Sequence, residues 1–198
     1  MFNSLIINKS VLTIISIMLN ISFPNTDKTI EKKLETLLLK TVDGKQVKAI
    51  YNAIDTKKYH NVFSYVPDIN PLDPKKQRLS SNFGERYHPI QKRKKFHAGV
   101  DIAGKKGTAI HASASGRIVL VSQTNEGYGY HIKIQHKYGF ITLYAHMSKI
   151  LCKGGQYVKK GDIIGLVGST GNSTGPHLHY EIHKNGKIIN PKPFLFLN

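Results

Sequence analysis

The sequence predicts a mainly β fold, an antiparallel β-sheet domain preceded by a short helical N-terminal segment. After about residue 78, short runs of β-branched and aromatic residues recur between glycine-containing turns. No sustained 3.6-residue period occupies that region, so long crossover helices are not expected there. Ahead of it, two stretches place their apolar residues at helical spacing. A chain of 198 residues suits one principal domain with some additional material.

The first 23 residues contain Lys9 and then an apolar run from Val11 through Phe23, interrupted by Thr13, Ser16, Asn20 and Ser22. That length matches the apolar core of a secretory signal better than a span of ~20 continuous apolar residues. Residues 1–23 are therefore expected to be a signal peptide or an N-terminal anchor, and export follows from either. A buried N-terminal helix is the weaker alternative, because nothing caps it. In residues 24–76 Ile30, Leu34, Leu37 and Leu38 share one helical face, and Val47, Ile50, Tyr51 and Ile54 share another, with Asp43-Gly44 as the turn between them. This helical hairpin is expected to be a spacer lying loosely on the main domain, the alternatives being a stalk, a partner-binding arm or an inhibitory segment. Pro67, Pro71 and Pro74 punctuate the stretch that follows and mark it as a linker. The main domain is expected over residues 77–198.

Within that domain, strands are expected over 116–122, 131–136 and 140–146, the last two joined by Lys137-Tyr138-Gly139. Further strands are expected at 162–168 and, after the Asn185-Gly186 turn, at 187–189. The segment GPHLHYEIH, residues 175–183, alternates throughout. As a strand it puts Leu178, Tyr180 and Ile182 on one face and His177, His179, Glu181 and His183 on the other.

Lys and Arg total 29 against 12 Asp and Glu, a formal charge of +17. Such an excess favours a polyanionic partner and says nothing about fold. Residues 24–96 and 97–198 each net +8, so no single basic domain stands out. The run Lys92-Arg93-Lys94-Lys95 has no aromatic stacking platform around it and suits a solvated loop, which argues against nucleic-acid binding. Cys152 is the only cysteine. It excludes an intramolecular disulfide and a thiolate metal cluster, so any metal here must use His and carboxylate.

Three clusters could supply such ligands: His97 with Asp101, His146 at the end of a strand, and His177 with His179. A catalytic zinc keeps three protein ligands at ~2 Å and one open position. In a straight strand His97 and Asp101 would be ~13 Å apart, so sharing a metal needs a bend, which Gly99 permits. Alternation places His146 with Thr142 and Tyr144, opposite Ile141, Leu143 and Ala145. Each cluster alone suits an ordinary hydrogen-bonded surface histidine. His60, His88, His111, His131 and His136 have no partner at ligand spacing. His183 and Glu181 run away from His179 and suit exposure or a hydrogen bond to a ligand imidazole. Tyr128 and Tyr130 could line a groove or donate to a developing oxyanion, with surface packing the plainer reading.

Taken in order, His97-x-x-x-Asp101, Tyr144-Ala145-His146 and Gly175-Pro176-His177-Leu178-His179 resemble the lysostaphin-type zinc metallopeptidases that cut peptide cross-links in bacterial cell walls. The resemblance runs from Asn82-Phe83-Gly84-Glu85-Arg86 to Asn190-Pro191 and includes Gly161-Asp162-Ile163-Ile164-Gly165 and Gly168-Ser169-Thr170-Gly171. It implies that His97, Asp101 and His179 bind Zn2+ while His146 and His177 serve catalysis, as base and proton donor in an order the sequence leaves open. It further implies an exported zinc metalloendopeptidase acting in the periplasm, cell envelope or extracellular space. Peptidoglycan is then the partner, the chain acts as a monomer, and membrane association is confined to a retained N-terminus. The competing class is a non-catalytic wall-binding or hydrolase-activating module of the same fold, which should lack one of the five positions; none is missing. Residues 155–165 also resemble the turn of a biotinyl or lipoyl carrier, but without its modifiable-lysine signature.

Overall fold

The computed structural model describes residues 27–73, 78–87 and 94–195. The expected leader, Pro74, His88 and the first two residues of the basic run, Lys92 and Arg93, lie outside them. Among the described residues no helix is long and apolar enough to cross a membrane.

Helix α1 spans Asp27–Lys40 and buries Leu34, Leu37 and Leu38. Helix α2 spans Gly44–Ala53 and buries Val47, Ile50 and Tyr51, the residues whose spacing predicts it. Asp43 caps α2 by accepting from the Gln46 amide at 2.9 Å, while the Gln46 side chain accepts from the Val42 amide at 2.8 Å, so each satisfies an otherwise orphaned donor. A single turn, α3, follows at His60–Phe63.

These helices do not lie loosely on the rest of the chain. Their apolar faces merge with one core that includes Ile110, Ile118, Phe140, Tyr180 and Phe194. The proline-punctuated stretch is packed too, with Val66, Pro67, Asp68, Pro71 and Leu72 all buried. Buried polar ties reinforce the contact. Lys160 Nζ lies 2.6 Å from Asp68 Oδ1 and donates to Phe63 O, while the Tyr51 hydroxyl donates to Asp68 Oδ2. Lys184 Nζ donates to Tyr138 O and Leu39 O. A spacer resting on the surface would not bury the Asp68 carboxylate, since desolvating that charge is offset only where a partner such as the half-buried Lys160 is fixed beside it.

The remainder is an antiparallel β fold with twelve strands among the described residues: β1 Arg78–Ser81, β2 Gly84–Tyr87, β3 Lys94–His97, β4 Val100–Ala103, β5 Ala109–His111, β6 Gly116–Gln123, β7 Tyr130–Gln135, β8 Phe140–Ile150, β9 Tyr157–Val158, β10 Ile163–Val167, β11 His177–Lys184 and β12 Lys187–Ile189. The main sheet runs β1-β4-β11-β8-β7-β6-β9, with β10 on β8 and β5, and β12 on β11. Strands β2 and β3 form a separate hairpin. Strands β4, β11 and β8 are thus neighbours at the centre.

Leu178, Tyr180 and Ile182 point into the core as the alternation of β11 predicts. The opposite face is not open to solvent as a half-buried strand would leave it. His179 and Glu181 are also buried, because the β2–β3 hairpin and the loop before β7 cover them. The link Ala98-Gly99 bends the chain between β3 and β4, and glycine is needed there for close approach as well. A Cβ on Gly99 would lie 2.3 Å from Tyr180 O.

The largest departure from simple alternation is at His146. Tyr144 pairs with Tyr180, and both are fully buried on the core face. Ala145 pairs with His179 on the opposite face. Strict alternation would therefore send His146 into the core beside Tyr144. Instead β8 carries an extra residue there: Tyr130 pairs with Met147 but Ile132 with Tyr144. His146 adopts φ 60, left-handed backbone that is costly for a side chain other than glycine. This bulge re-aims the imidazole to the face that carries His179.

His136 is a core histidine, with Nδ1–H donating to Ser115 O at 2.8 Å and Nε2 accepting from the Thr142 hydroxyl at 2.8 Å. Burial pushes its pKa down to about 4, against a partial offset from the Ser115 carbonyl.

Two outcomes follow from this packing. Gly99→Ala should lower the unfolding free energy by about 1–3 kcal/mol by overpacking β3–β4 against β11, seen as a lower urea midpoint; an unchanged midpoint would contradict the close approach. For His136, the unfolded chain takes up a proton below pH ~6.5 that the folded chain resists. Its contribution is complete above that pH and is lost as pH falls toward about 4, roughly 3 kcal/mol in all. Unfolding free energies between pH 7.5 and 4.5 should fall less steeply in His136→Asn, and an equal slope would contradict this.

Candidate metal centre

The register of the central strands assembles the site. His179 on β11 lies directly opposite Asp101 on β4, and His97 reaches in from the end of β3. Asp101 Oδ1 is 3.0 Å from His97 Nε2 and 2.9 Å from His179 Nδ1, and those two nitrogens are 3.1 Å apart. Donors ~2.0–2.1 Å from one tetrahedral ion would be separated by about 3.3 Å. The triangle therefore has nearly the size that zinc requires, and all three residues are buried.

The outer atoms decide which way the lone pairs face. His97 Nδ1 lies 2.7 Å from the Asn82 carbonyl, and His179 Nε2 lies 3.0 Å from Glu181 Oε1. Both acceptors require N–H on the outer nitrogen, so in each neutral ring the inner nitrogen presents a lone pair. Two imidazole lone pairs and a carboxylate oxygen then converge on one point. Such an arrangement is self-repulsive unless positive charge sits within it, and it fits a divalent cation of zinc's ligand preferences.

The charges respond accordingly. Burial opposes ionisation of Asp101; where the inner nitrogens carry protons instead, they donate to it, and these bonds from His179 and His97 outweigh burial and hold the carboxyl well below the usual range. Arg86 Nη2 lies 3.2 Å from Asp101 Oδ2, which leaves Oδ1 turned toward the imidazoles. Burial also opposes charge on Glu181, yet bonds from His179, His183 and Tyr128 lower it to about 2. Burial disfavours charge on His179, while its bonds to Asp101 and Glu181 outweigh that and raise its pKa.

Glu181 is a junction. Besides His179, it accepts from His183 Nε2 at 2.7 Å and from the Tyr128 hydroxyl at 2.5 Å. His183 touches the site only through this carboxylate. Tyr128 packs its ring 5.5 Å from that of His179; its proton is committed to Glu181, so packing and bracing describe it better than oxyanion donation.

His146 and His177 face the same cleft, their ring centroids 4.8 Å apart. His146 Nδ1 lies 2.7 Å from Thr170 O, and His177 Nδ1 lies 2.8 Å from Gly175 O. Each backbone carbonyl therefore accepts a hydrogen bond from Nδ1–H and leaves Nε2 free to accept. His177 Nε2 is 3.7 Å from Asp101 Oδ1, beyond a hydrogen bond but beside the cluster. Burial lowers the pKa of His146 to about 4, with neighbouring His177 and His179 adding to the effect against the Thr170 carbonyl. It is neutral near pH 7. The cleft, of about 270 Å3, is lined by these five residues together with Arg86, Lys95, Tyr128, Asn172 and Thr174.

All five residues singled out by the sequence thus meet in one cleft. Sequence reasoning did not assign Arg86, the Asn82 carbonyl or the bracing by Tyr128. The sequence offers Tyr128 and Tyr130 as groove-lining candidates, and Tyr128 lines the cleft whereas Tyr130 does not. His60, His111, His131 and His136 stay outside the cleft lining.

Residues 95–191 match the family described as peptidase family M23. The chain is 45% identical over 121 residues to the peptidoglycan DD-endopeptidase ShyA of Vibrio cholerae, covering 61% of this chain and 28% of the relative. The chain spans about a quarter of the length of the curated relatives it matches. Among solved structures, the catalytic domain of the antimicrobial peptidase lysostaphin from Staphylococcus simulans matches with a TM-score of 0.54 and 37% identity, covering 60% of this chain and 91% of that one. A zinc-containing peptidase from Vibrio cholerae matches with a TM-score of 0.57 and 35% identity over 61% of this chain and 37% of that one.

Zinc titration against a chromophoric chelator checks the donor set. Wild type should bind one equivalent tightly, and His97→Ala, Asp101→Ala and His179→Ala should each lose tight binding, whereas His146→Ala and His177→Ala keep it. Glu181→Ala should weaken binding by about 10–100-fold through loss of the bond that orients His179. Unweakened zinc binding by His179→Ala would contradict the assignment.

Proposed function

The chain belongs to peptidase family M23, and from that premise we propose that it is an exported zinc-dependent endopeptidase that hydrolyses peptide bonds in peptidoglycan stem peptides or cross-bridges. The observation that carries the reading is the convergence of His97 Nε2, Asp101 Oδ1 and His179 Nδ1 on one point, with the Nε2 atoms of two further histidines beside it. Zinc bound there supplies a water of lowered pKa and polarises the scissile carbonyl. Peptidoglycan as substrate is supported by the relative that carries it in its name, and by a charge of +17 that suits an anionic wall. That substrate lies outside the cytoplasm, in keeping with an apolar leader at residues 1–23.

The chain's own residues then divide the work. His97, Asp101 and His179 hold the metal. Glu181 and the Asn82 carbonyl keep both ligand imidazoles in the tautomer that offers a lone pair inward. His146 and His177, each with Nε2 free, accept the proton of the attacking water and return one to the leaving amine, a transfer worth about 10²–10⁴-fold when well positioned. Residues 77–198 form the catalytic unit. The described residues 27–73 brace it from behind, and none of them lines the cleft. That placement favours a structural role for the segment over an inhibitory one.

Incubating the zinc-loaded chain with purified peptidoglycan should release fragments whose new peptide termini, read by mass spectrometry, identify the bond and disappear when zinc is chelated. His146→Ala should retain zinc and lower kcat by about 10²–10⁴-fold. No release by zinc-loaded protein from walls of several cross-link types would count against the hydrolase and for a binding module.

A further inference from the structure

The β2–β3 hairpin holds a charge arrangement that metal binding and proton transfer leave unexplained. Arg86 and Lys95 are directly opposed in its register. Their side chains therefore leave from the same face of the hairpin, where two like charges destabilise an antiparallel pair. That face is also the one bearing His97, and both cations line the cleft. Lys95 stands two residues before His97 on β3, a separation of ~6.6 Å along a strand. Lys95 makes no ion pair among the described residues.

Among the described residues nothing acidic in the cleft is left to neutralise the pair. Its two carboxylates, Asp101 and Glu181, are buried and already engaged: Asp101 by His97, His179 and Arg86, and Glu181 by His179, His183 and Tyr128. Arg86 directs Nη2 to Asp101 Oδ2, but a guanidinium carries five donors in a planar fork, and this side chain is 30% exposed. It also borders an adjoining recess formed by Ser80, Ser81, Thr174 and Gly175. The cleft therefore presents a fork and a point charge side by side, the pairing suited to a carboxylate.

We propose that Arg86 and Lys95 form a carboxylate-binding site that selects peptides bearing a free carboxylate within one or two residues of the bond held at the metal centre. The inference rests on the peptidase reading of the cleft and adds to it a class of substrate. An anion seated between the two cations removes their repulsion, and the site's position, about two strand residues beyond His97, sets the distance from the scissile bond. A neutral peptide, or one whose neighbouring carboxylate is amidated, gains none of this.

The test uses the full zinc-loaded chain and two fluorescein-labelled peptides ending in D-alanyl-D-alanine, one with a free C-terminal carboxyl and one with the carboxamide. Dissociation constants come from anisotropy and kcat/KM from product analysis, with zinc stoichiometry confirmed for each variant. Wild type should bind the acid at least tenfold more tightly than the amide. In Lys95→Gln the ratio should fall to within about threefold, and in Lys95→Glu the preference should vanish or invert. Lys95 touches no metal ligand, so these variants separate carboxylate selection from damage to the metal centre. Equal affinity of wild type for the two peptides, or an undiminished acid preference in Lys95→Glu, would overturn the proposal. If the acid is preferred in binding yet neither peptide is cut, the peptidase reading fails for these bonds while the carboxylate site stands. If both are cut and bound equally, the peptidase reading stands and the carboxylate site fails.

Discussion

The pairing of His179 with Asp101 across β11 and β4 is the constraint on which the cleft depends, because it sets an imidazole and a carboxylate side by side on one face of a sheet whose other face is core. A shift of one residue would carry His179 into the hydrophobic layer and bring Leu178 or Tyr180 out in its place. Leu178, Tyr180 and Ile182, all fully buried, resist that slip, so burial on one face of β11 enforces chemistry on the other. His97 completes the cluster only because the chain turns at Ala98-Gly99 against the backbone of Tyr180.

Acceptors beyond the cluster matter as much as the three donor atoms that meet in it. The Asn82 carbonyl, the Glu181 carboxylate and the carbonyls of Thr170 and Gly175 each accept a hydrogen bond from the outer N–H of one imidazole. Four histidines are thereby fixed in tautomers whose free nitrogens face the same cleft. The left-handed backbone at His146 belongs to this design: a locally unfavourable conformation, held by the surrounding sheet, turns a residue from the core face to the cleft face.

Much of this was legible in the sequence, and what was not has identifiable causes. The apolar spacing of α1 and α2 and the alternation of β11 are local patterns, and the structure follows them. The five cleft residues were found through the order of three motifs, since each motif alone was too short to distinguish a ligand from a surface histidine. Strands β1 to β5 and β9 are two to four residues long. Segments such as Lys94-Lys95-Phe96-His97 carry no alternation to read; their pairing partners, not their composition, make them strands. The bulge at His146 defeats an alternation argument because an inserted residue leaves no mark in the polar–apolar pattern. Burial of Glu181 and docking of the helical segment arise from long-range contacts, including Lys160 with Asp68 and Lys184 with Leu39 O and Tyr138 O. Lys95 looked like part of a solvated basic run, and only the hairpin register places it in the cleft.

On the proposed reading, His97, Asp101 and His179 together hold one zinc ion and leave a position open for chemistry. X-ray absorption at the zinc edge of the stoichiometrically loaded chain tests it most directly. The first shell should contain two imidazole nitrogens at ~2.0–2.1 Å and oxygen scatterers at ~2.0–2.2 Å from a carboxylate and a water. A first shell of three or four imidazoles would contradict it, because His146 or His177 would then be a ligand instead of a proton carrier.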